Sequence, residues 1–71
     1  MRFSNLQAEM KRAGMNVVEV ASALEYDRVT LYNRLSGKTN WTLNEMLRVQ
    51  NLFKRRTGQD FTLDYLFKIE E

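Results

Sequence analysis

The sequence contains no cysteine, no histidine and no proline, and only three glycines and one tryptophan among its 71 residues. Without cysteine or histidine there can be no disulfide, no thiolate nucleophile, no imidazole general base and none of the usual zinc ligand sets. Metal and redox chemistry are not expected, and no cofactor or small-molecule ligand is implied. No apolar run approaches the roughly 20 residues that span a bilayer. The opening stretch "MRFSNLQAEM" has no apolar centre of the signal-peptide kind. No membrane is expected as a partner, and a cytoplasmic location follows by default. Length is lacking as well. A chain this short makes one domain, residues 1–71, and buries only about 60% of the surface its unfolded form exposes. An enzyme is not expected: an acid pair such as Asp60 and Asp64, four apart, is the ordinary pattern of a solvated helix face.

What is present is the composition of a globular protein, 44% hydrophobic and 28% charged. The net charge of +2 is unevenly laid out. Between Arg28 and Arg56 lie seven basic residues (Arg28, Arg34, Lys38, Arg48, Lys54, Arg55, Arg56) against one acid, Glu45, a net of +6. Both flanks are slightly acidic. A polyanion-binding face needs this kind of asymmetry.

The three glycines, Gly14, Gly37 and Gly58, each follow an amphipathic stretch and read as helix ends. Ser4 and Gln7 fit a capping box before Leu6, Met10 and Ala13, predicting a first helix at roughly 4 to 13. Asn16 with Glu19 predicts a second, short helix carrying Val17, Val20, Ala21 and Leu24. Asp27 suits the N-cap of a third, whose Leu31 and Leu35 sit four apart before Ser36-Gly37. Thr42 and Glu45 box the start of a fourth helix running to about Arg56, with Leu43, Met46, Leu47, Val49 and Phe53 as its apolar stripe. Arg55 and Arg56 oppose the dipole at its end. Trp41 before that cap reads as a hydrophobic staple, from which its indole N–H is also within reach of a phosphate. In "FTLDYLFKIEE", Thr62 suits a short capped helix with Leu63, Leu66 and Phe67, although Phe, Tyr and Ile also favour strands. Helix is the better reading, because nothing else in the chain pairs with a lone strand. The expected fold is all-α: five short helices joined by tight turns.

Only Glu25 to Asp27 separate the second helix from the third, so the pair must cross steeply, as in a helix-turn-helix. Ala21 is the small residue suited to the crease, with Val20, Leu24, Leu31 and Leu35 packing inward. At 100° per residue the opposite face of the third helix carries Val29, Tyr32, Asn33 and Ser36, flanked by Thr30, with Arg28 at the open first turn. Arginine grips guanine O6 and N7, asparagine grips adenine N6 and N7, and valine meets a thymine methyl group. An ordinary solvated helix face is the plain alternative for these residues. For Lys38, Thr39 and Asn40 the alternatives are a plain loop and a phosphate-binding one.

Taken together, "VVEVASALEYDRVTLYNRLSGK", "TNWTLNEML" and "TLDYLF" resemble the Cro and lambda-repressor type of helix-turn-helix regulator, the XRE class, and most closely its small phage Cro-like repressors. The likeness runs from about Leu6 to Phe67. It implies a compact five-helix lambda-repressor-like DNA-binding domain, with the motif at about 17–36 and the recognition helix at about 28–36. It further implies a transcriptional regulator, of repressor type, that binds double-stranded operator DNA as a homodimer. Bases would be read by Arg28, Val29, Tyr32 and Asn33. Backbone contacts would come from Asn16, Thr30, Ser36, Lys38, Thr39 and Asn40. The C-terminal apolar residues Leu63, Tyr65, Leu66, Phe67 and Ile69 exceed the evident needs of the core: part of the group is expected to be core, and the remainder a dimer interface. The sequence departs from the family in three places. Glu25 stands where glycine is usual in the turn, and Val17 stands where glutamine is frequent, leaving Asn16 as its substitute. Arg34 occupies an often aliphatic position, where its stem is expected to pack while the guanidinium reaches outward. The competing reading is a small helical protein-interaction module, an antirepressor or adaptor, that does not bind DNA.

Overall fold

A computed structural model describes residues 2–69, and among them the chain is all-helical: α1 (Ser4–Arg12), α2 (Val17–Ala23), α3 (Arg28–Ser36), α4 (Leu43–Thr57) and α5 (Leu63–Leu66). Four of the five starts are set by the caps legible in the sequence. Asn16 Oδ1 accepts from the Glu19 amide at 2.8 Å while the Glu19 carboxylate reaches back to the Asn16 amide. Asp27 accepts from the Thr30 amide at 2.7 Å, Thr42 and Glu45 form the reciprocal box of α4, and Thr62 accepts from the Tyr65 amide. Each satisfies helix N–H groups that have no intrahelical acceptor. The exception is α1. Its N-cap is Phe3, with no side-chain cap, and Ser4 lies inside the helix rather than before it. Phe3 is 7% exposed and packs edge-on against Trp41 and Phe67, so apolar burial moves the start of α1 one residue earlier than the cap pattern suggests.

The α2–α3 connection is the sharpest turn. Tyr26 N–H donates to the Ala21 carbonyl at 2.8 Å and Glu25 N–H to the Ser22 carbonyl at 3.1 Å, the paired bonds of a Schellman ending. The same ending, built with Gly14, closes α1. In the α2–α3 turn the left-handed residue is Glu25, at φ +61°, a conformation that costs a side-chain-bearing residue about 1–2 kcal/mol. Glu25→Gly is therefore expected to raise stability by up to about 1 kcal/mol, once the extra freedom of unfolded glycine is set against the relieved strain. A urea titration measures it, and a lower midpoint for the glycine variant would rule out strain at this turn.

The helices share one core of Phe3, Leu6, Met10, Met15, Val20, Ala21, Leu24, Leu31, Leu35, Val49, Leu52, Phe53 and Leu66. Ala21 is 2% exposed in the crease between α2 and α3, where a larger side chain would hold the axes apart. α5 docks on α1 and α4. Its tie to α1 is polar as well as apolar: Tyr65 Oη donates at 2.6 Å to the buried Glu9 carboxylate, which also takes Arg12, and Asn5 donates to the Tyr65 carbonyl. That bond to a carboxylate raises the Tyr65 hydroxyl above its ordinary pKa, because ionising it would break the bond and set two negative charges together. Among the described residues no helix is long and apolar enough to cross a membrane.

The C-terminal apolar residues divide. Leu66 is fully buried in the core, and Phe67 lies 5.0 Å from Trp41 in an aromatic cluster with Phe3. Leu66 and the partly buried Phe67 are thus the part of the group that belongs to the core, which removes these two from the expected dimer interface. Leu63 is half-buried, Tyr65 is held on Glu9, and Ile69 alone of the five is broadly exposed without a polar tie. Exposed apolar surface lies also at Leu43 (61% exposed) and Leu47 (41%) on the first turns of α4. These two were expected to join the inward stripe of that helix. The residues of α4 that are buried are Val49, Leu52 and Phe53, and Leu43 and Leu47 sit roughly 130° and 165° around the helix from them.

Candidate nucleic-acid interface

α3 buries only Leu31 and Leu35. Around the rest of its circumference Arg28, Val29, Tyr32 and Ser36 are exposed, while Thr30 and Asn33 are half-buried. Val29 is 67% and Tyr32 49% exposed, three positions apart and so neighbours on the helix surface. The helix is fixed at both ends. Asp27 caps its start, and the Thr30 amide and hydroxyl that hold the Asp27 carboxylate keep its pKa below the ordinary value. Gly37, at φ +83°, ends it with its N–H on the Arg34 carbonyl.

The backbone-contact candidates are not equally placed. The Ser36 hydroxyl donates to the Asn33 carbonyl at 3.3 Å, so its proton is turned back onto the helix. Asn16 uses its oxygen as a cap and keeps its amide protons for another partner. Thr39 is half-buried, with its N–H on the Asn33 carbonyl at 3.2 Å, while Lys38 and Asn40 on either side are exposed. Trp41 packs between Phe3 and Phe67, and its indole nitrogen is buried without a hydrogen-bond partner, so it does not face a phosphate.

Arg34 is where the structure departs most from expectation. Its guanidinium does not reach outward. It turns toward α4, donating through Nε and Nη2 to the two Glu45 oxygens at 3.1 Å each and through Nη1 to Thr39 Oγ1 at 2.5 Å. The guanidinium carbon also lies 5.9 Å from the centre of the Tyr26 ring. Glu45 accepts in addition from the Thr42 amide at 2.8 Å and from the Tyr26 hydroxyl. Four donors therefore fill the roughly four lone-pair positions of one carboxylate, and the pair can be largely buried, with side-chain exposures of 20% and 12%.

Compared with known proteins, the chain matches no family model, no curated protein and no solved structure. Its charges thus have to be read from the structure alone, which thins out the basic stretch. Arg34 is neutralised by Glu45, Lys54 pairs with Asp60 at 2.9 Å, and Arg56 pairs with Glu19 at 3.5 Å. Arg48 Nη2 donates to the Leu24 carbonyl at 3.0 Å, tying the end of α2 to α4. Among the described residues, Arg28, Lys38 and Arg55 of the seven carry no such tie. Arg28 is the first residue of α3 and Lys38 lies just beyond its end. A further cation joins them: a Cβ placed on Gly37 would collide with the stem of Arg2, so the Arg2 side chain lies over the C-terminal end of α3. No sequence pattern pointed to Arg2, which is 35 positions from Gly37. Val18, 53% exposed on the first turn of α2, was likewise missed.

Proposed function

We propose that the chain is a sequence-specific DNA-binding transcriptional regulator of helix-turn-helix type, a lambda-repressor-like domain of the phage or prophage repressor kind. In this reading α2 and α3 form the motif and α3 lies in the major groove. The observation that carries it is the exposed side of α3. A helix anchored by two leucines and capped at both ends presents Arg28, Val29 and Tyr32 to solvent, with the unpaired Lys38 just after it. Arg28 and Asn33 supply the hydrogen bonds to base edges, Val29 and Tyr32 the apolar contacts, and Lys38, Thr39, Asn40 and Asn16 the contacts to phosphate.

The test is a fluorescence titration against genomic DNA fragments over a series of salt concentrations. Affinity is expected to fall linearly on a double-logarithmic plot, with about −0.9 of slope for each phosphate neutralised. Lys38→Ala should weaken every sequence alike and reduce that slope by about 1. Arg28→Ala and Asn33→Ala should each remove roughly 1–3 kcal/mol of discrimination at single base pairs of a selected site. Absence of binding at low salt overturns the reading.

A second reading has its own observation. The exposed Leu43 and Leu47, one turn apart, are a protein-contact surface. Within the DNA reading they supply the homodimer contact previously assigned to α5, and a two-fold dimer sets two copies of α3 about 34 Å apart, one turn of duplex. Without DNA binding they would serve a protein-interaction module.

A further inference from the structure

We propose that Arg34 is a positioning residue that aims the Thr39 hydroxyl at a DNA phosphate, with Glu45 holding Arg34 in place. The proposal rests on the DNA reading of α3. A hydroxyl has one proton and two acceptor lone pairs, and a guanidinium has donors only. The 2.5 Å contact from Arg34 Nη1 to Thr39 Oγ1 must therefore use a lone pair of the threonine. The positive charge on Arg34 also repels the proton end of the Thr39 O–H dipole. Among the described residues no acceptor takes that proton, which leaves it for a partner outside the chain. Beside it are exposed Lys38 and Asn40, and the Arg2 stem crosses the adjoining Gly37. A donor hydroxyl among cations is matched by an anionic oxygen.

The loop does not hold this direction by itself. Thr39 is fastened to α3 by its N–H on the Asn33 carbonyl and by its oxygen on Arg34. Arg34 is in turn gripped through two nitrogens by Glu45 on the first turn of α4. Glu45 takes the Tyr26 hydroxyl as well, and Tyr26 lies in the turn just before α3. One carboxylate thus ties together the chain on both sides of α3. The phosphate donor after the helix and the base-reading face on it are held in one frame, so a phosphate seated on Thr39 fixes the register of α3 in the groove.

A double-mutant cycle on DNA affinity at fixed salt tests this, using Arg34→Lys, Thr39→Val and the two combined, with Thr39→Ser as the rescue. Thr39→Val keeps the shape and removes the hydroxyl, and is expected to weaken binding about tenfold, the scale of one hydrogen bond to a charged group. The salt slope should stay unchanged, because no charge is lost. Thr39→Ser should bind nearly as the parent does. Arg34→Lys keeps the charge but cannot hold Glu45 and Thr39 together, and should lose a similar factor. The combined variant should lose no more than either one, since both act through a single donor. Losses that multiply, or Thr39→Val binding as tightly as the parent, overturn the proposal while leaving the DNA reading intact. Should Arg34→Lys fail to fold, the Thr39 valine and serine variants decide the matter. If the parent protein binds no DNA at low salt, the DNA reading fails and this inference falls with it.

Discussion

Leu66→Ala is expected to cost about 2–5 kcal/mol of folding stability. The side chain is completely buried, so its truncation loses the transfer energy of the removed carbons and leaves a cavity that the short α5 cannot close by shifting. A domain of this length has only roughly 4–10 kcal/mol in total. The loss should lower the melting temperature by about 4–8 °C for each kcal/mol. The informative contrast is with α4. Leu43→Ser and Leu47→Ser act on exposed positions and should change monomer stability by no more than about 0.5 kcal/mol, while abolishing the self-association proposed for this surface, as measured by sedimentation. A neutral Leu66→Ala would mean that α5 does not seal the core. A dimer surviving both α4 substitutions would remove Leu43 and Leu47 from the interface.

The second large effect is expected from Glu45→Ala. This change strips the acceptor from the Thr42 amide, from two nitrogens of Arg34 and from the Tyr26 hydroxyl at once. It leaves a mostly buried guanidinium held only by Thr39. Breaking one side of a buried ion pair costs about 3–5 kcal/mol, because the orphaned charge is still out of water. The residual exposure of Arg34 places the expected value near the lower end, about 3 kcal/mol. Urea denaturation followed by circular dichroism measures it. Arg34→Met combined with Glu45→Gln should be clearly less destabilised than the sum of its two single variants, since no unpaired charge remains. Simple additivity would show that the two side chains are not paired in solution.

The two effects differ in how far each was legible beforehand. Caps that close bonds between residues three apart could be read directly: Asn16 with Glu19, Asp27 with Thr30, Thr42 with Glu45 and Thr62 with Tyr65 all form as the spacing indicates. So does the inward packing of Leu31 and Leu35 with Arg28, Val29, Tyr32 and Ser36 left exposed on α3, whereas Arg34 turns inward against expectation. The cap at Ser4 failed because a stronger non-local term, burial of Phe3 against Trp41 and Phe67, competes with one hydrogen bond. In α4 the sequence offers two apolar stripes, Leu43 with Leu47 and Val49 with Leu52 and Phe53, and periodicity alone does not say which one faces inward. The mixed stripe read from the sequence combined both.

The sequence by itself determined the all-α class, the starts of four of the five helices and the polar face of α3, since each depends on groups within a turn or two of one another. Tertiary structure alone decided the partner of Arg34, the burial of Leu66, the exposure of Leu43 and Leu47, the place of Arg2 over Gly37, and which cations are left without a counter-charge. Those depend on which helix faces meet. The contacts join residues 11 to 37 positions apart in the case of the three inter-element ion and stem contacts of Arg34, Arg2 and Arg56, a separation at which spacing along the chain carries no information about distance in space.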